Sequence, residues 1–140
     1  MKRIFVLLLL PVILFLGACK EKKGTQISGN ISDAQNLTIY LDRVELQKST
    51  PLSKLESDAA GSFSFDFPEG LEPGLYRLRS GAQAAHFIIL GGEKDIHING
   101  TVDGIGKDDY MVSGSEATKN YVEVMQKFRS GEMSFTNISN

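Results

Sequence analysis

Tryptophan is absent from this chain, and cysteine occurs once, at position 19. A single thiol excludes an internal disulfide, a CxxC redox pair and a cysteine-based zinc cluster. Without tryptophan the chain lacks the side chain best suited to stacking on sugar rings. Positive charge is not in excess either, since 15 Lys and Arg face 17 Asp and Glu for a formal net charge of −2. No basic stripe runs along the chain, which argues against nucleic acid as a partner. The two histidines, His86 and His97, have no neighbours at metal-ligand spacing. Both read as strand residues, and no metal or other cofactor is expected. Long hydrophobic runs are missing everywhere except at the start.

That start is MKRIFVLLLLPVILFLGAC. Lys2 and Arg3 supply a positive flank, and Ile4 to Leu16 is apolar with Pro11 as its one interruption. Thirteen residues at about 1.5 Å each reach roughly 20 Å, short of a ~30 Å hydrocarbon core. The segment reads as a signal peptide over residues 1–18. Leu16-Gly17-Ala18-Cys19 resembles a bacterial lipobox. The resemblance implies cleavage between Ala18 and Cys19, diacylglycerol on the Cys19 sulfur and acylation of the new N-terminus. The lone thiol is then a membrane attachment point. One acyl chain anchors marginally, whereas two or more hold a protein on a bilayer. Lys20 stands where the enterobacterial sorting rule places a retaining aspartate, so the resemblance implies an outer-membrane lipoprotein of the cell envelope, facing the periplasm or the surface. Residues 19–24 read as a lipidated, solvated tether.

Removal of residues 1–18 leaves 122 residues, with 13 basic against 17 acidic side chains and a net charge of −4. That length suffices for one domain with a core. From residue 25 to 114 the pattern is short alternating runs between turn residues. Residues 26–31, 37–41, 52–57 (weakly), 62–67, 74–81, 86–90, 95–102 and 110–112 read as strands. In SFSFDF, Phe63, Phe65 and Phe67 share one face; such a stripe reads as core more readily than as an aromatic ligand platform. FIIL suits a strand covered on both faces. The predicted class is mainly β, an antiparallel β-sandwich or partly open barrel. Residues 115–140 change period. Ala117, Tyr121, Val124, Met125 and Phe128 form a helical stripe, with Ser115 as N-cap and Gly131 as stop, so one C-terminal amphipathic helix is predicted over Glu116 to Arg129.

The order of these pieces carries a resemblance: lipobox, ISGNI, D-x-x-G-S-F-S-F, GLYRLR, FIILGGEKDIHINGTVD and GSEATKNYVEVMQKF. It resembles the small β-rich domain of unknown function at the N-terminus of thioredoxin-like lipoproteins of Bacteroidota, over residues 25–128. In that family a helical linker and a thioredoxin- or peroxiredoxin-like domain with CxxC follow. This chain has no CxxC, so disulfide exchange does not carry over and no enzyme activity is expected of it. The resemblance implies a non-catalytic accessory or partner-recognition module whose partner is a downstream thioredoxin-like domain or an envelope protein. A small-ligand or glycan-binding lipoprotein is the alternative. A truncated oxidoreductase is a further one, and the apolar helix stripe favours burial against a missing domain over folding back.

Other chemistry is weaker. Gly91-Gly92-Glu93-Lys94 lacks the frame of a phosphate loop and reads as a hairpin turn. Asp108 and Asp109 are adjacent, a poor acid–base pair, and read as a wet loop. No catalytic residue is assigned. The expected interaction surface is Arg77 and Arg79, which share one strand face and could meet an anionic ligand or a partner's carboxylates, together with Tyr121, Met125 and Phe128 of the helix.

Overall fold

The computed structural model describes residues 24–131. Ten elements follow one another: β1 (Thr25–Ile31), β2 (Thr38–Val44), β3 (Ser49–Glu56), β4 (Ser62–Phe67), β5 (Gly74–Ser80), β6 (Gln83–Ile89), β7 (Asp95–Gly100), α1 (Val102–Ile105), β8 (Tyr110–Ser113) and α2 (Glu116–Arg129). The alternating runs pair into two four-stranded sheets, ordered β4-β1-β7-β8 and β3-β2-β5-β6. The fold is a mainly β sandwich with no closed barrel.

Ladders are antiparallel with one exception. β1 and β7 run parallel, with Gln26 opposite Asp95 and Ile31 opposite Gly100. The pairing works because all of the second sheet lies between them in sequence and serves as the crossover. Close packing of the two strands requires Gly29, where a Cβ would fall 1.8 Å from the Ile98 carbonyl oxygen.

One face of each sheet is apolar, so stacking the two buries both. Ile27, Ile31, Phe63, Phe65, Ile96 and Ile98 from the first sheet meet Ile39, Leu41, Tyr76, Leu78, Phe87 and Ile89 from the second, all buried. The phenylalanine stripe is core, as its spacing predicts. At one turn, Asp58 Oδ1 accepts from the amides of Ala60 and Ser62, and Gly61 takes φ 80° to complete it.

Helix α2 has the bounds and caps that its sequence predicts. Ser115 Oγ accepts from the Thr118 amide, Glu116 lies in the first turn, Lys127 and Arg129 in the last, and Gly131 follows at φ 75°. Its seating differs from the expectation. The helix folds back on β6 and β8 and contributes Val122 to the core. The buried positions are Thr118 and Val122, with Tyr121 packed partly against the core. The stripe is therefore rotated from the one drawn through Val124 and Phe128, which stay 48 % and 47 % exposed. Thr118 escapes a search for apolar residues because its value lies in its hydroxyl. The Ile88 amide donates to Thr118 Oγ1 at 2.8 Å, and the Ile88 carbonyl accepts from Ser115 Oγ at 2.8 Å. Tyr110 Oη donates to the His86 carbonyl at 2.5 Å. These side chains satisfy backbone groups along the outer edge of β6, which would otherwise be open to pairing with another strand.

Candidate functional site around Asp42

The outward face of the second sheet carries the charged cluster. Register fixes its rows: Tyr40 lies opposite Arg79 and Arg79 opposite Ala84; Asp42 lies opposite Arg77 and Arg77 opposite His86; Val44 lies opposite Leu75 and Leu75 opposite Ile88. Arg77 and Arg79 thus share a face, as alternation predicts. The structure adds what spacing alone does not show, the carboxylate of Asp42 between them. Its Oδ2 accepts from Arg77 Nε at 3.1 Å, Arg77 Nη2 at 2.7 Å and Arg79 Nε at 2.8 Å. Asp42 is 1 % exposed, while each arginine side chain keeps 29 %. The Arg79 guanidinium also lies over the Tyr40 ring, 4.0 Å from its centroid.

The alternation of residues 37–41 predicts a strand ending at Leu41. The strand continues to Val44, and a register shift between Leu41 and Asp42 passes the neighbouring strand from Ser53 to Pro51. This bulge leaves both Leu41 and Asp42 buried, one in the core and the other under the two arginines. The available signal was the outward pair Arg77 and Arg79 itself, which calls for a counter-charge on the adjacent strand.

Electrostatics hold the cluster ionised. Burial on its own would raise the Asp42 carboxyl, but hydrogen bonds and charge from Arg77 and Arg79 outweigh it and keep the group below its ordinary value. One carboxylate against two guanidiniums leaves a local charge of one positive unit. Arg77 Nη1 and both terminal nitrogens of Arg79 remain outside these bonds to Asp42. Oδ1 of Asp42 is buried without a hydrogen-bond partner among the described residues. An oxygen in that position is costly unless a donor meets it.

Beside Arg77, His86 is held below its ordinary value, first by burial and also by the positive charge of Arg77, with Asp108 opposing. Asp108 is not the wet-loop residue its sequence suggests. It is buried at φ 55°, and Oδ2 accepts from Arg129 Nε at 3.0 Å and Nη2 at 2.8 Å. Asp109 is exposed. Asp108 thus pairs with Arg129 of α2 and lies within electrostatic reach of His86.

The remaining sequence candidates separate. His97 is on the other sheet, exposed, with Nδ1 2.8 Å from Ser28 Oγ. Among the described residues no group of three His, Cys, Asp or Glu side chains is placed to hold a metal ion. In the turn after β6, Glu93 accepts from the Leu90 and Gly91 amides, so those donors are taken internally. Of the helix candidates, Tyr121 and Met125 are half-buried and Phe128 is exposed. Ala18 and Cys19 lie outside the described residues.

No family model and no curated protein matches this chain. Solved structures do. An (S)-allantoin synthase aligns with TM-score 0.45 and 11 % identity over 56 % of this chain and 40 % of its own length. The 5-hydroxyisourate hydrolase of Klebsiella pneumoniae aligns with TM-score 0.45 and 20 % identity, over 64 % of this chain and 96 % of that one. A 9R-lipoxygenase from Cyanothece aligns with TM-score 0.33 and 16 % identity over 56 % of this chain and 16 % of its own. All three are enzymes by name, and the chain spans less than half of the first.

Proposed function

We propose that this chain is a lipid-anchored lipoprotein of the bacterial cell envelope, held in the outer membrane through Cys19, whose sandwich is a non-catalytic partner-recognition module. The observation that carries the recognition half is the Asp42 cluster. Two partly exposed guanidiniums are pinned by a buried carboxylate, with donors to spare. Their immobilisation lowers the entropy a partner must pay to meet them. Planar guanidiniums fixed in this way suit a partner's carboxylates. The anchoring half rests on Leu16-Gly17-Ala18-Cys19 and its flanking segments.

Each half has its own test. Expressed in a Gram-negative host, the chain incorporates a palmitate analogue and partitions into detergent, and Cys19→Ala abolishes both; labelling that survives the substitution refutes the anchor. For recognition, a photo-crosslinking side chain at Ala84, beside Arg79 on the charged face, gives a discrete envelope adduct. That adduct disappears in the Arg77→Ala/Arg79→Ala double variant, while the same probe at His97 on the other sheet gives none. Equal adducts at both positions, or an adduct indifferent to the arginines, refute the assigned surface.

A further inference from the structure

Strand directions place a particular set of loops together. β1 begins at Thr25, opposite Phe67 at the end of β4, while Gln26 pairs with Asp95 at the start of β7. In the other sheet Gly74, the start of β5, faces Ile89 at the end of β6, and Leu75 faces Val44 at the end of β2. The β6–β7 turn joins the two ends: Thr25 Oγ1 donates to the Glu93 carbonyl at 3.0 Å, and the Gln26 amide to the Lys94 carbonyl at 2.7 Å. The β2–β3 turn, the β4–β5 loop, the β6–β7 turn and the beginning of β1 therefore share one end of the sandwich.

That end carries exposed leucines at two loop tips. Leu46, in the β2–β3 turn, is fully exposed, and Leu90, entering the β6–β7 turn, is 67 % exposed. Leu46 stands beside Val44 and Leu75 around one concave surface. Three carboxylates at this end are engaged within the chain, Glu45 with Lys48 at 3.6 Å, Glu72 with Arg43 at 2.5 Å, and Glu93 with the Leu90 and Gly91 amides, while Glu69 in the β4–β5 loop and Asp95 at the start of β7 are exposed. Exposed leucines at two loop tips suit an apolar contact.

We infer that this end of the sandwich docks on the bilayer surface, with Leu46 and Leu90 entering the headgroup region. The inference rests on the anchored reading of Cys19, and chain length selects the occupant. Six residue steps separate Cys19 from Thr25, at most about 22 Å of extended chain. A lipid on Cys19 thus keeps this end of the sandwich, where Thr25 begins, nearest the membrane. Tethering makes the second contact intramolecular, so two leucines suffice where they would not bind a bilayer alone. The β5–β6 turn at Ala82 lies at the opposite end, as does Asp108 beneath the last turn of α2. The chain enters at the membrane and α2 finishes away from it.

Acylation of Cys19 leaves no thiol, so a single introduced cysteine can carry an environment-sensitive dye. The full lipidated chain is reconstituted in phosphatidylcholine vesicles with the dye at Leu46→Cys, Leu90→Cys or Ala82→Cys. Blue-shifted emission and quenching by spin-labelled lipid at positions 46 and 90, with water-like emission at 82, is expected, and it persists at high salt. Water-like emission at all three positions in vesicle-bound protein overturns the docking and leaves the anchor intact. So does a blue shift equal at all three, which would mean that the domain lies flat. Wild-type protein that fails to float with vesicles and takes maleimide at Cys19 overturns the anchor, and the docking with it.

Discussion

Asp42 illustrates how one buried charge sets the behaviour of a surface. Its removal in Asp42→Ala leaves two arginines without their partner. Because both guanidiniums still reach water, the expected cost is about 1–3 kcal/mol, below that of breaking a fully buried pair. Urea denaturation at neutral pH measures it. Since the folded carboxyl is held below its ordinary value of 3.8, its contribution is complete above that pH. The contribution fades as pH falls through the lowered value, an acid limb that Asp42→Asn removes. His86 acts through the opposite ionisation. Its folded pKa lies below the ordinary 6.5, so the unfolded chain takes up the proton first. Stability should accordingly decline as pH is lowered from neutrality through 6.5 and beyond. A His86→Gln variant whose pH profile matches wild type would show that this imidazole is not the group responsible.

Among the elements, α2 and β6 depend on each other. The hydroxyls of Ser115 and Thr118 satisfy Ile88, while α2 packs on β6 and β8 and adds Val122 to the core. Thr118→Val keeps the shape and loses the bond, and about 1–2 kcal/mol of stability should go with it. Val122→Asp places a charge in the core and should cost about 2–5 kcal/mol. Hydrogen exchange gives the direct readout: amides from residue 119 to 125 should be about as protected as those of β6, and both should open together in Val122→Asp. Rapid exchange along the helix beside a protected β6 would mean that the two elements are not one cooperative unit. Phe65, 3 % exposed between the sheets, makes the corresponding test for the strands, where Phe65→Asp should prevent stable folding.

For the molecule as a whole, the sandwich has two unlike ends and one charged flank. The apolar tips share an end with Thr25, the Asp42 cluster occupies the middle of a sheet face, and α2 runs toward the far end along the β6 edge. On the proposed anchoring, a recognition face on the flank would stay open to other envelope components while the end rests on lipid. Because both sheets and α2 feed one core, the domain should unfold in a single transition. Far-ultraviolet dichroism, which follows the helix and strands, should then melt together with the near-ultraviolet signal of buried Tyr76 and Tyr110. Separate transitions would divide α2 from the sandwich.

Local chemistry determined much of this protein. Period-two alternation placed the strands and the inward phenylalanines, because a pleated sheet with one buried face demands that pattern. Serine, the acidic first turn, the basic last turn and glycine fixed the ends of α2, since unpaired helix-end groups are met by near neighbours. The outward sharing of Arg77 and Arg79 followed from the same alternation. Three features had to wait for tertiary structure. Parallel pairing of β1 with β7 joins strands nearly seventy residues apart. The carboxylate under the arginines lies on a different strand, reached through a bulge that no local propensity announces. The rotated face of α2 was decided by a threonine, whose polarity hides it from a search for apolar stripes and whose hydroxyl fits an edge carbonyl and amide thirty residues away. Local signals report what each segment can form; which donor finds which acceptor depends on where the chain brings distant segments together.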